Sequence, residues 1–216
     1  MVLDLDGTLL DSAPGIGDAL NRTLAEAGRP PLTLAQTTAL IGDGARDLVR
    51  RAFEGTGDAL AEAEVTGWFE RFIAIYEPVA AHSTPAFPGV AETLAALHGA
   101  GWRLGVCTNK PASATRAVLR ALDFEAYFGA VVGGGAGAPL KPDPRHLLAV
   151  LEALGACAHE AVMVGDAEND VKVARAAGVP VVCVRYGYAR GSPESLGADA
   201  LIDRFDALPA ALAQLA

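Results

Sequence analysis

The sequence contains few basic residues. Its 17 lysines and arginines are outnumbered by 26 aspartates and glutamates, which gives a formal net charge of −9. Because a protein that binds nucleic acid needs clustered Lys and Arg, we expect no nucleic-acid partner. The chain also lacks an apolar run of the ~18 to 20 residues that cross a membrane. Two acids among the first six residues differ from the basic start of a secretory signal, so we expect a cytoplasmic protein without a membrane partner.

Cysteine is scarce as well. The chain has only Cys107, Cys157 and Cys183, each among apolar residues, and no CxxC pair. Without paired thiols at metal-ligand spacing, a thiolate-bound metal is not expected. We predict three buried free thiols in a reducing compartment.

Short apolar runs alternate with helical patterns from residue 85 onward. The strand-like runs are "RLGVCT" (103–108), "GAVVG" (129–133), "AVMVGD" (161–166), "PVVCV" (180–184) and "ADALID" (198–203). The helical patterns cover residues 112–123, 144–155, 167–178 and 205–215. Continuous apolar strands separated by helices are typical of parallel βαβ units. The sequence therefore predicts an α/β fold with a Rossmann-like parallel sheet and helices on both faces.

Residues 13–82 have a different pattern. They carry apolar residues at helical period and no convincing strand. The stretch "STPAFPG" (83–89), which contains Pro and Gly, then returns the chain to the α/β pattern. We predict an α/β core of residues 1–12 and 83–216 and an inserted all-helical cap of residues 13–82. The cap would cover the carboxyl edge of the sheet, where open α/β sheets bind ligands.

The stretch "DLDGTLLDS" (4–12) places Asp4 and Asp6 directly after the first apolar residues. Alternate residues of a strand point to the same side, so both carboxylates would face one small volume unless the chain has already turned at Asp6. At ~5 Å and an effective dielectric of about 20, their repulsion is roughly 3 kcal/mol, which a positive charge would offset. The alternative is that one acid faces solvent and the other caps a turn, which is common for "DG". The two interpretations are evenly balanced on this stretch alone.

Polar side chains also follow three later strands of the predicted sheet. They are Thr108, Asn109, Lys141, Asp166 and Asp170. Each has an ordinary explanation by itself: a turn, a solvated loop lysine, or the N-terminal cap of a helix. In a parallel sheet, however, all these strand ends meet at one edge. Carboxylates suit Mg²⁺, which uses one or two of them together with waters and substrate phosphate. The pattern predicts a magnesium site that would also offset the repulsion between Asp4 and Asp6.

The segments "DLDGTLLDS", "TNK", "KPDP" and "GDAEND", in this order, resemble the four motifs of the haloacid dehalogenase superfamily of phosphohydrolases. The resemblance covers essentially the whole chain, and the combination is highly specific although no single motif is. Within the superfamily, "GVCTNKP", "KPDPRHL", "VGDAENDVKVARAAG" and "VRYGY" are similar to bacterial phosphoglycolate phosphatases. One departure is the first strand, which has only three residues before Asp4, fewer than members usually have.

The resemblance implies a covalent mechanism. Asp4 would attack phosphorus and form an aspartyl-phosphate, which water then hydrolyses. Asp6 would protonate the leaving alkoxide and later take a proton from water. Thr108 and Asn109 would hydrogen-bond the transferring phosphoryl oxygens. Lys141 would hold the phosphate and the nucleophile together despite their like charges.

The resemblance also implies Mg²⁺ as the cofactor. Its protein ligands would be Asp4, Asp6 and Asp166, and Asp170 would support them from behind or through water. Because the transition state of phosphoryl transfer is loose and rich in charge, placement and electrostatics would supply most of the rate.

Related activities differ in residues that can be checked. Residues 13–82 contain no lysine, which argues against the phosphonate-cleaving branch because its cap lysine forms a Schiff base. The dehalogenase branch needs no metal and lacks an acid at the position of Asp6. A phosphoglucomutase-type phosphoryl transferase keeps Asp6 and stays open, although "DGTLLDS" and "TNKP" are more similar to hydrolases. A non-catalytic binding protein of this fold would have lost the nucleophile, the acid or the lysine, and none is lost.

The cap segment "IGDGARDLVRRAF" (41–53) resembles the family's substrate loop. Gly42 and Gly44 would let the backbone approach the site, and Arg46 would meet a carboxylate such as that of 2-phosphoglycolate. Arg50 and Arg51 could do the same, but the basic outer face of an amphipathic helix explains them at least as well. The expected partner is a small phosphorylated metabolite, with N-acetylmuramate 6-phosphate, sugar phosphates and pyrophosphate as alternatives to 2-phosphoglycolate. The sequence leaves monomer and dimer open.

Overall fold

A six-stranded sheet forms the centre of the protein in a computed structural model that describes residues 1–135 and 139–215. The strands are β1 (Val2–Leu3), β2 (Leu104–Pro111), β3 (Phe128–Gly134), β4 (Met163–Gly165), β5 (Val181–Val184) and β6 (Ala200–Ile202). Their order in the sheet is β3-β2-β1-β4-β5-β6, and every neighbouring pair is parallel. The prediction of a parallel α/β fold is confirmed. Three residues of the Gly-rich stretch before Lys141, residues 136–138, lie outside the described residues.

Neighbouring residues of the central strands pack against opposite faces of the sheet. Leu3 and Val106 belong to one buried apolar cluster, whereas Val2 and Cys107 belong to a second cluster on the other face. Both faces are covered, which explains why these strands read as continuous apolar runs without alternation. The short β1 lies at the centre of the sheet, where Val2 pairs with Gly105 of β2 and with Met163 of β4.

Nine α-helices surround the sheet within the described residues. They are α1 (Ala13–Glu26), α2 (Leu34–Thr38), α3 (Ala45–Thr56), α4 (Glu62–Ala80), α5 (Val90–Gly99), α6 (Ala112–Ala121), α7 (Pro144–Ala153), α8 (Glu168–Ala177) and α9 (Leu208–Leu215). Helix α7 starts where the pattern predicts, because the Asp143 carboxylate accepts a hydrogen bond from Arg145 N at 2.9 Å and Pro144 fits the first turn. Helix α8 ends at Gly178, whose φ of 68° suits glycine. Helix α5 was not predicted from the sequence.

Helices α1 to α4 occupy the predicted cap segment, and no strand lies in residues 13–82. Helix α1 packs on α2, α3 and α4, while α3 also contacts β2 and α4 contacts α6. Apolar residues of this segment, such as Phe53 and Phe72, belong to the same buried cluster as Leu3 of the sheet. The cap helices therefore share an apolar core with one face of the sheet, and the division into two domains stays a prediction.

The three cysteines are all free, but only Cys107 and Cys183 are buried. Cys157 is exposed, so the expectation of three buried thiols is wrong at this position. The reason is that Cys157 lies outside the strands, between α7 and the short 3₁₀ helix Ala158–Glu160. Separately, among the described residues no helix combines the length and the apolar character needed to cross a membrane.

Candidate active site

The chain turns sharply after β1 and separates the two acids that the sequence places together. The backbone N–H groups of Thr8, Leu9 and Leu10 all donate to the carbonyl of Leu5, which closes a tight loop. Gly7 has a φ of 84°, and a Cβ there would lie 2.5 Å from Asp166 Oδ2, so this turn requires glycine. Asp4 and Asp6 both line the same pocket, but each carboxylate has its own cation.

Lys141 is the cation beside Asp4. Its Nζ lies 2.8 Å from Asp4 Oδ1 and donates to Asp170 Oδ1 at 2.6 Å. Burial opposes the charge of Lys141, but the attraction of Asp170 and Asp4 outweighs burial and raises the pKa of this lysine above its usual value. The backbone of Lys141 is held by Asn109, whose Oδ1 accepts from Lys141 N at 2.8 Å and whose Nδ2 donates to Lys141 O at 2.9 Å. The ammonium group is thus fixed between two carboxylates.

Asp170 has no oxygen left without a partner in this network. Its Oδ1 accepts from Lys141, and its Oδ2 accepts from the backbone N–H groups of Asp166 and Ala167, both at 3.1 Å. Close packing holds it there, because a Cβ on Gly165 would lie 2.3 Å from Asp170. Asp170 therefore positions Lys141 and the first turn of α8.

Asp166 is oriented by two hydrogen bonds. Its Oδ1 accepts from Thr8 Oγ1 at 2.7 Å, and its Oδ2 accepts from Tyr188 N at 2.7 Å. The backbone passes very close behind it, since a Cβ on Gly187 would lie 2.2 Å from the Asp166 side chain. Each oxygen accepts one hydrogen bond and keeps lone-pair capacity for another partner.

Asp4, Asp166 and Asp170 form a buried acidic cluster, with one oxygen of each within 4.8 Å of the others. Burial raises the pKa of Asp4 to about 6, with Lys141 opposing and Asp170 adding repulsion. Burial together with the charges of Asp170 and Asp4 also raises the pKa of Asp166 well above its usual value. The protein alone therefore disfavours full ionisation of this cluster.

The cluster fits a divalent cation. Asp4 Oδ1 is buried 2.8 Å from Lys141 Nζ, and the cluster also includes oxygens of Asp166 and Asp170. Carboxylate oxygens grouped in this way match the hard oxygen donors that Mg²⁺ prefers. A cation there would also stabilise the ionised forms of both acids.

Asp6 is not a member of this cluster, although the sequence groups it with the metal ligands. Its Oδ1 accepts a hydrogen bond from Lys110 Nζ at 2.9 Å, and the Lys110 ammonium also donates to Tyr76 Oη of helix α4. Burial opposes the charge of Lys110, but Asp6 and the Tyr76 hydroxyl stabilise it and raise the pKa of the lysine. The structure brings Asp170 into the acidic cluster in place of the Asp6 carboxylate.

Lys110 is the main residue that sequence reasoning missed. It lies inside the segment "TNK", directly after Thr108 and Asn109, and its side chain is 1% exposed. The signal was available, since one of only three lysines in the chain follows two residues expected at the site. What the sequence could not supply is the partner Tyr76, which lies 34 positions away on a cap helix.

Thr108 and Asn109 differ in what their side chains can still do. Thr108 lines the pocket, and its hydroxyl oxygen accepts from Lys110 N at 3.2 Å, so its own proton can be donated to a ligand. The Asn109 amide is already engaged with Lys141 and donates a further hydrogen bond to the carbonyl of Gly42 at 2.9 Å. The side chain of Asn109 therefore positions other groups, although the residue also lines the pocket.

Gly42 and Gly44 of the cap loop line the pocket, and their contact with a substrate stays a prediction. Both glycines have positive φ, 119° and 93°, and a Cβ on Gly44 would lie 3.1 Å from Leu140. The Gly42 carbonyl accepts from Asn109 and also from Asn169 Nδ2 at 3.2 Å. Asn169 belongs to the predicted motif "GDAEND", but its contact with the cap was not foreseen.

Asp43 adds ionic contacts to this loop. Its carboxylate accepts from Asn169 at 2.7 Å and from Arg190 of the core, and it lies 3.1 Å from Arg51. The side chain of Asp43 therefore ties the cap loop to the core segment that follows β5. Arg51 forms an ion pair with Asp43, and Arg50 forms ion pairs with Asp47 and Glu54 of its own helix.

Arg46 is not brought to the pocket. Its guanidinium pairs with Glu62 at 2.5 Å and donates to Thr66 at 3.0 Å, both on helix α4, and its side chain is 43% exposed. The neighbouring Ala45 lines the pocket, whereas Arg46 points along the surface. The expected contact of Arg46 with a substrate carboxylate has no counterpart in this arrangement.

A comparison with protein families decides the family assignment. The model of the family described as haloacid dehalogenase-like hydrolase matches residues 1–178. The chain belongs to this family. The predicted family resemblance and the prediction of a hydrolytic enzyme are thereby confirmed, while the roles of the individual site residues stay predictions.

Relatives and solved structures match nearly the whole length of this hydrolase. A phosphoglycolate phosphatase of Rhodospirillum rubrum is 45% identical over 212 residues, covering 96% of this chain and 88% of that protein. A phosphoglycolate phosphatase of Caulobacter vibrioides is 41% identical over 211 residues, covering 98% and 89%. The crystal structure of a predicted phosphoglycolate phosphatase from Haemophilus somnus has a TM-score of 0.91 and 29% identity, and the match covers 98% of this chain and 96% of that one.

Proposed function

We propose that this chain is a Mg²⁺-dependent phosphatase that hydrolyses 2-phosphoglycolate to glycolate and phosphate through an aspartyl-phosphate on Asp4. The observation that carries the proposal is the environment of Asp4: its carboxylate lies at the pocket, 2.8 Å from Lys141 Nζ and in one cluster with Asp166 and Asp170. The choice of substrate is supported by the relatives at 45% and 41% identity, which are phosphoglycolate phosphatases.

Asp4 and Asp166 would hold the metal ion. Asp6 lines the same pocket with its Oδ1 bonded to Lys110, and its role as a third ligand stays a prediction, whereas Asp170 positions Lys141 and the first turn of α8. Bound Mg²⁺ would neutralise charge on the phosphoryl oxygens and on the nucleophile. Two carboxylates completed by waters and substrate phosphate are a usual Mg²⁺ environment.

The first half of the reaction forms the aspartyl-phosphate. An Asp4 oxygen makes a bond to phosphorus while the ester P–O bond breaks, and the leaving alkoxide takes a proton from Asp6. Lys141 holds Asp4 and the incoming phosphate side by side although both are negative. The hydroxyl of Thr108 and backbone amides at the pocket donate to the phosphoryl oxygens.

The second half of the reaction releases phosphate. A water molecule attacks phosphorus, Asp6 accepts one of its protons, and the bond between phosphorus and the Asp4 oxygen breaks. The Asp4 carboxylate and the protonated Asp6 are then ready for the next cycle. Asp6 serves as acid and base in turn, and its position next to Lys110 keeps it at the pocket.

Residues 13–82 act as the cap in this proposal. Their contribution to the pocket is mostly apolar and consists of Ile16, Ile41, Gly42, Gly44, Ala45, Leu48 and Phe72, together with Tyr76, which carries the one polar side chain among them. Apolar walls exclude water other than the attacking molecule. They also strengthen the electrostatic interactions among the charged groups at the carboxyl edge of the sheet.

The test is an assay of purified protein against phosphate monoesters. We expect release of inorganic phosphate from 2-phosphoglycolate that stops in a chelator and returns with Mg²⁺. Ca²⁺ should restore this activity poorly, because its coordination sphere is larger and looser. Full activity in the chelator would contradict the metal assignment.

The same assay separates the substrates. The panel contains 2-phosphoglycolate, N-acetylmuramate 6-phosphate, several sugar phosphates and pyrophosphate, and each reaction is also checked for phosphate transfer without net release. A higher kcat/KM for any other member than for 2-phosphoglycolate would replace the proposed substrate. Isomerised sugar phosphate without free phosphate would indicate a mutase.

A further inference from the structure

Lys110 is a buried cation that bridges the core and the cap. Its Nζ donates to Asp6 at 2.9 Å and to the hydroxyl of Tyr76, and it lies 4.8 Å from the centre of the Tyr76 ring. The side chain is 1% exposed, yet Lys110 lines the pocket together with both partners. A lysine kept out of bulk water at a binding pocket is costly unless anionic groups surround it.

The charges around the pocket are unevenly distributed. Within the described residues that line it, the acids are Asp4 and Asp6 and the only basic side chain is Lys110. Lys141 is not among the lining residues, and its Nζ lies between Asp4 and Asp170. The nearby arginines of helix α3 are paired on the surface, Arg46 with Glu62 and Arg50 with Asp47.

We infer that Lys110 is the residue that selects a substrate with a carboxylate, binding that carboxylate while Asp6 serves the leaving oxygen. The inference rests on the proposed function. In 2-phosphoglycolate the carboxylate is attached to the carbon that bears the leaving oxygen. Asp6 must reach that oxygen, and Lys110 Nζ is one hydrogen bond from Asp6, so the ammonium lies within reach of the carboxylate.

The hydrogen-bond capacity of this group agrees with the inference. A lysine ammonium has three donors, of which Asp6 and Tyr76 take two, so one is available to a ligand. The Tyr76 hydroxyl accepts from Lys110 and has Thr84 as its other polar neighbour, and its own proton can be donated to the second carboxylate oxygen when a ligand is bound. The walls contributed by Ile16 and Phe72 provide no competing polar partner.

A simpler role for Lys110 is that of a counterion that holds Asp6 and takes no part in substrate choice. The two roles differ in what a neutral substrate analogue reports. 2-Phosphoglycolamide carries the same leaving oxygen and replaces the carboxylate with an uncharged amide. Loss of a counterion for Asp6 lowers kcat/KM for both esters alike, whereas loss of a carboxylate ligand lowers it further for 2-phosphoglycolate.

The experiment measures kcat/KM for both esters in the wild-type protein, in Lys110→Met and in Lys110→Gln. We expect kcat/KM to fall for both esters in the variants. The ratio of kcat/KM for 2-phosphoglycolate to kcat/KM for 2-phosphoglycolamide should fall by about 10-fold to 100-fold, which corresponds to the loss of one charge-assisted hydrogen bond. Lys172→Met is the matched control, because Lys172 is an exposed lysine of α8, and it should keep the wild-type ratio. A ratio that stays at the wild-type value in a folded Lys110 variant overturns the inference.

Binding without turnover gives a second, independent readout. In an Asp4→Asn background with Mg²⁺ present, calorimetry should find that Lys110→Gln weakens binding of 2-phosphoglycolate by about 10-fold or more relative to 2-phosphoglycolamide. Equal weakening of both ligands overturns the inference. Failure of the proposed substrate has a different signature, because the wild-type protein would then show no preference for 2-phosphoglycolate over its amide.

Discussion

The carboxyl edge of the sheet and the outer surface of α3 both carry many charges, but they hold them in opposite environments. Lys141 at the edge has a 2% exposed side chain and contacts two buried carboxylates. Arg46 on α3 is 43% exposed and pairs with Glu62, which is 78% exposed. A buried pair is rigid, and removing one partner is costly, whereas an exposed pair contributes little to stability. The comparison indicates that the core fixes the reacting groups and that the cap supplies mainly walls.

The comparison is tested most strongly by replacing the two core acids. Asp4→Asn should lower turnover of every phosphate ester by on the order of 10⁴-fold or more, because Asp4 is the proposed nucleophile. Asp6→Asn should lower turnover of 2-phosphoglycolate by about 10²-fold to 10⁴-fold but affect p-nitrophenyl phosphate much less, since nitrophenolate leaves without a proton. Steady-state rates and trapping of the phosphoenzyme measure both effects. Identical behaviour of the two variants towards both esters would show that the assigned roles are wrong.

Replacing the buried lysine comes next in size. Lys141→Met leaves Asp4 and Asp170 buried without a cation, so the free energy of unfolding should fall by about 3 to 5 kcal/mol in chelator, and phosphatase activity should be lost. Lys172→Met, on the exposed side of α8, should change the free energy of unfolding by no more than about 0.5 kcal/mol. Urea unfolding of both variants checks this. Equal stability of the two would mean that burial does not distinguish core charges from surface charges.

A smaller effect concerns His146 of α7, which carries a buried ring near Lys141. Burial and the charge of Lys141 lower the pKa of His146 to about 4, and its Nδ1 has no hydrogen-bond partner among the described residues. Below pH 6.5 the unfolded chain binds a proton here and the folded chain does not, so stability falls as the pH falls from 6.5 to 4. His146→Leu should remove about 1 to 3 kcal/mol of this loss.

The measurement for His146 is the difference between two proteins. Urea unfolding of wild type and His146→Leu at pH 7 and pH 4.5 isolates the histidine, because the titrating carboxylates are common to both chains. If the two free energies of unfolding change in parallel with pH, the low pKa of His146 is not a feature of the folded state.

The smallest effect is expected on the cap surface. Arg46→Ala removes an exposed ion pair with Glu62, so kcat/KM for 2-phosphoglycolate should change by no more than about threefold. Turnover of p-nitrophenyl phosphate should change equally little. A selective loss of 10-fold or more for 2-phosphoglycolate would restore the role that the sequence suggests for Arg46 and would remove the contrast between core and cap.

Local patterns predicted the fold because each β-strand of the core is a short apolar run between helical segments. Placement at one edge follows from parallel topology, which is why the sequence alone predicts that Asp4, Lys141 and Asp166 lie near one another. The direction of individual side chains could not be predicted. The chain turns at Gly7, and the Asp6 carboxylate contacts Lys110. The alternation of strand residues does not predict this direction of the Asp6 side chain.

The cap was harder to predict for a physical reason. Arg46 was expected at the pocket because its segment resembles the family's substrate loop. On helix α3, however, Ala45 and Leu48 line the pocket and Arg46 pairs with Glu62 of the next helix. Ion pairs between side chains of different helices depend on how the helices pack, and the sequence pattern of one helix does not predict that packing. The contact of Lys110 with Tyr76 was missed for the same reason.

The carbonyl of Gly42 couples the cap loop to the core. It accepts from Asn109 and Asn169, and a displaced loop would give up both hydrogen bonds together with the contacts of Asp43 to Asn169 and Arg190. Asn109 also holds the backbone of Lys141. One amide side chain therefore contacts both the cap loop and the segment of Lys141, so a displacement of the loop would change the hydrogen bonding of the residue that positions this lysine.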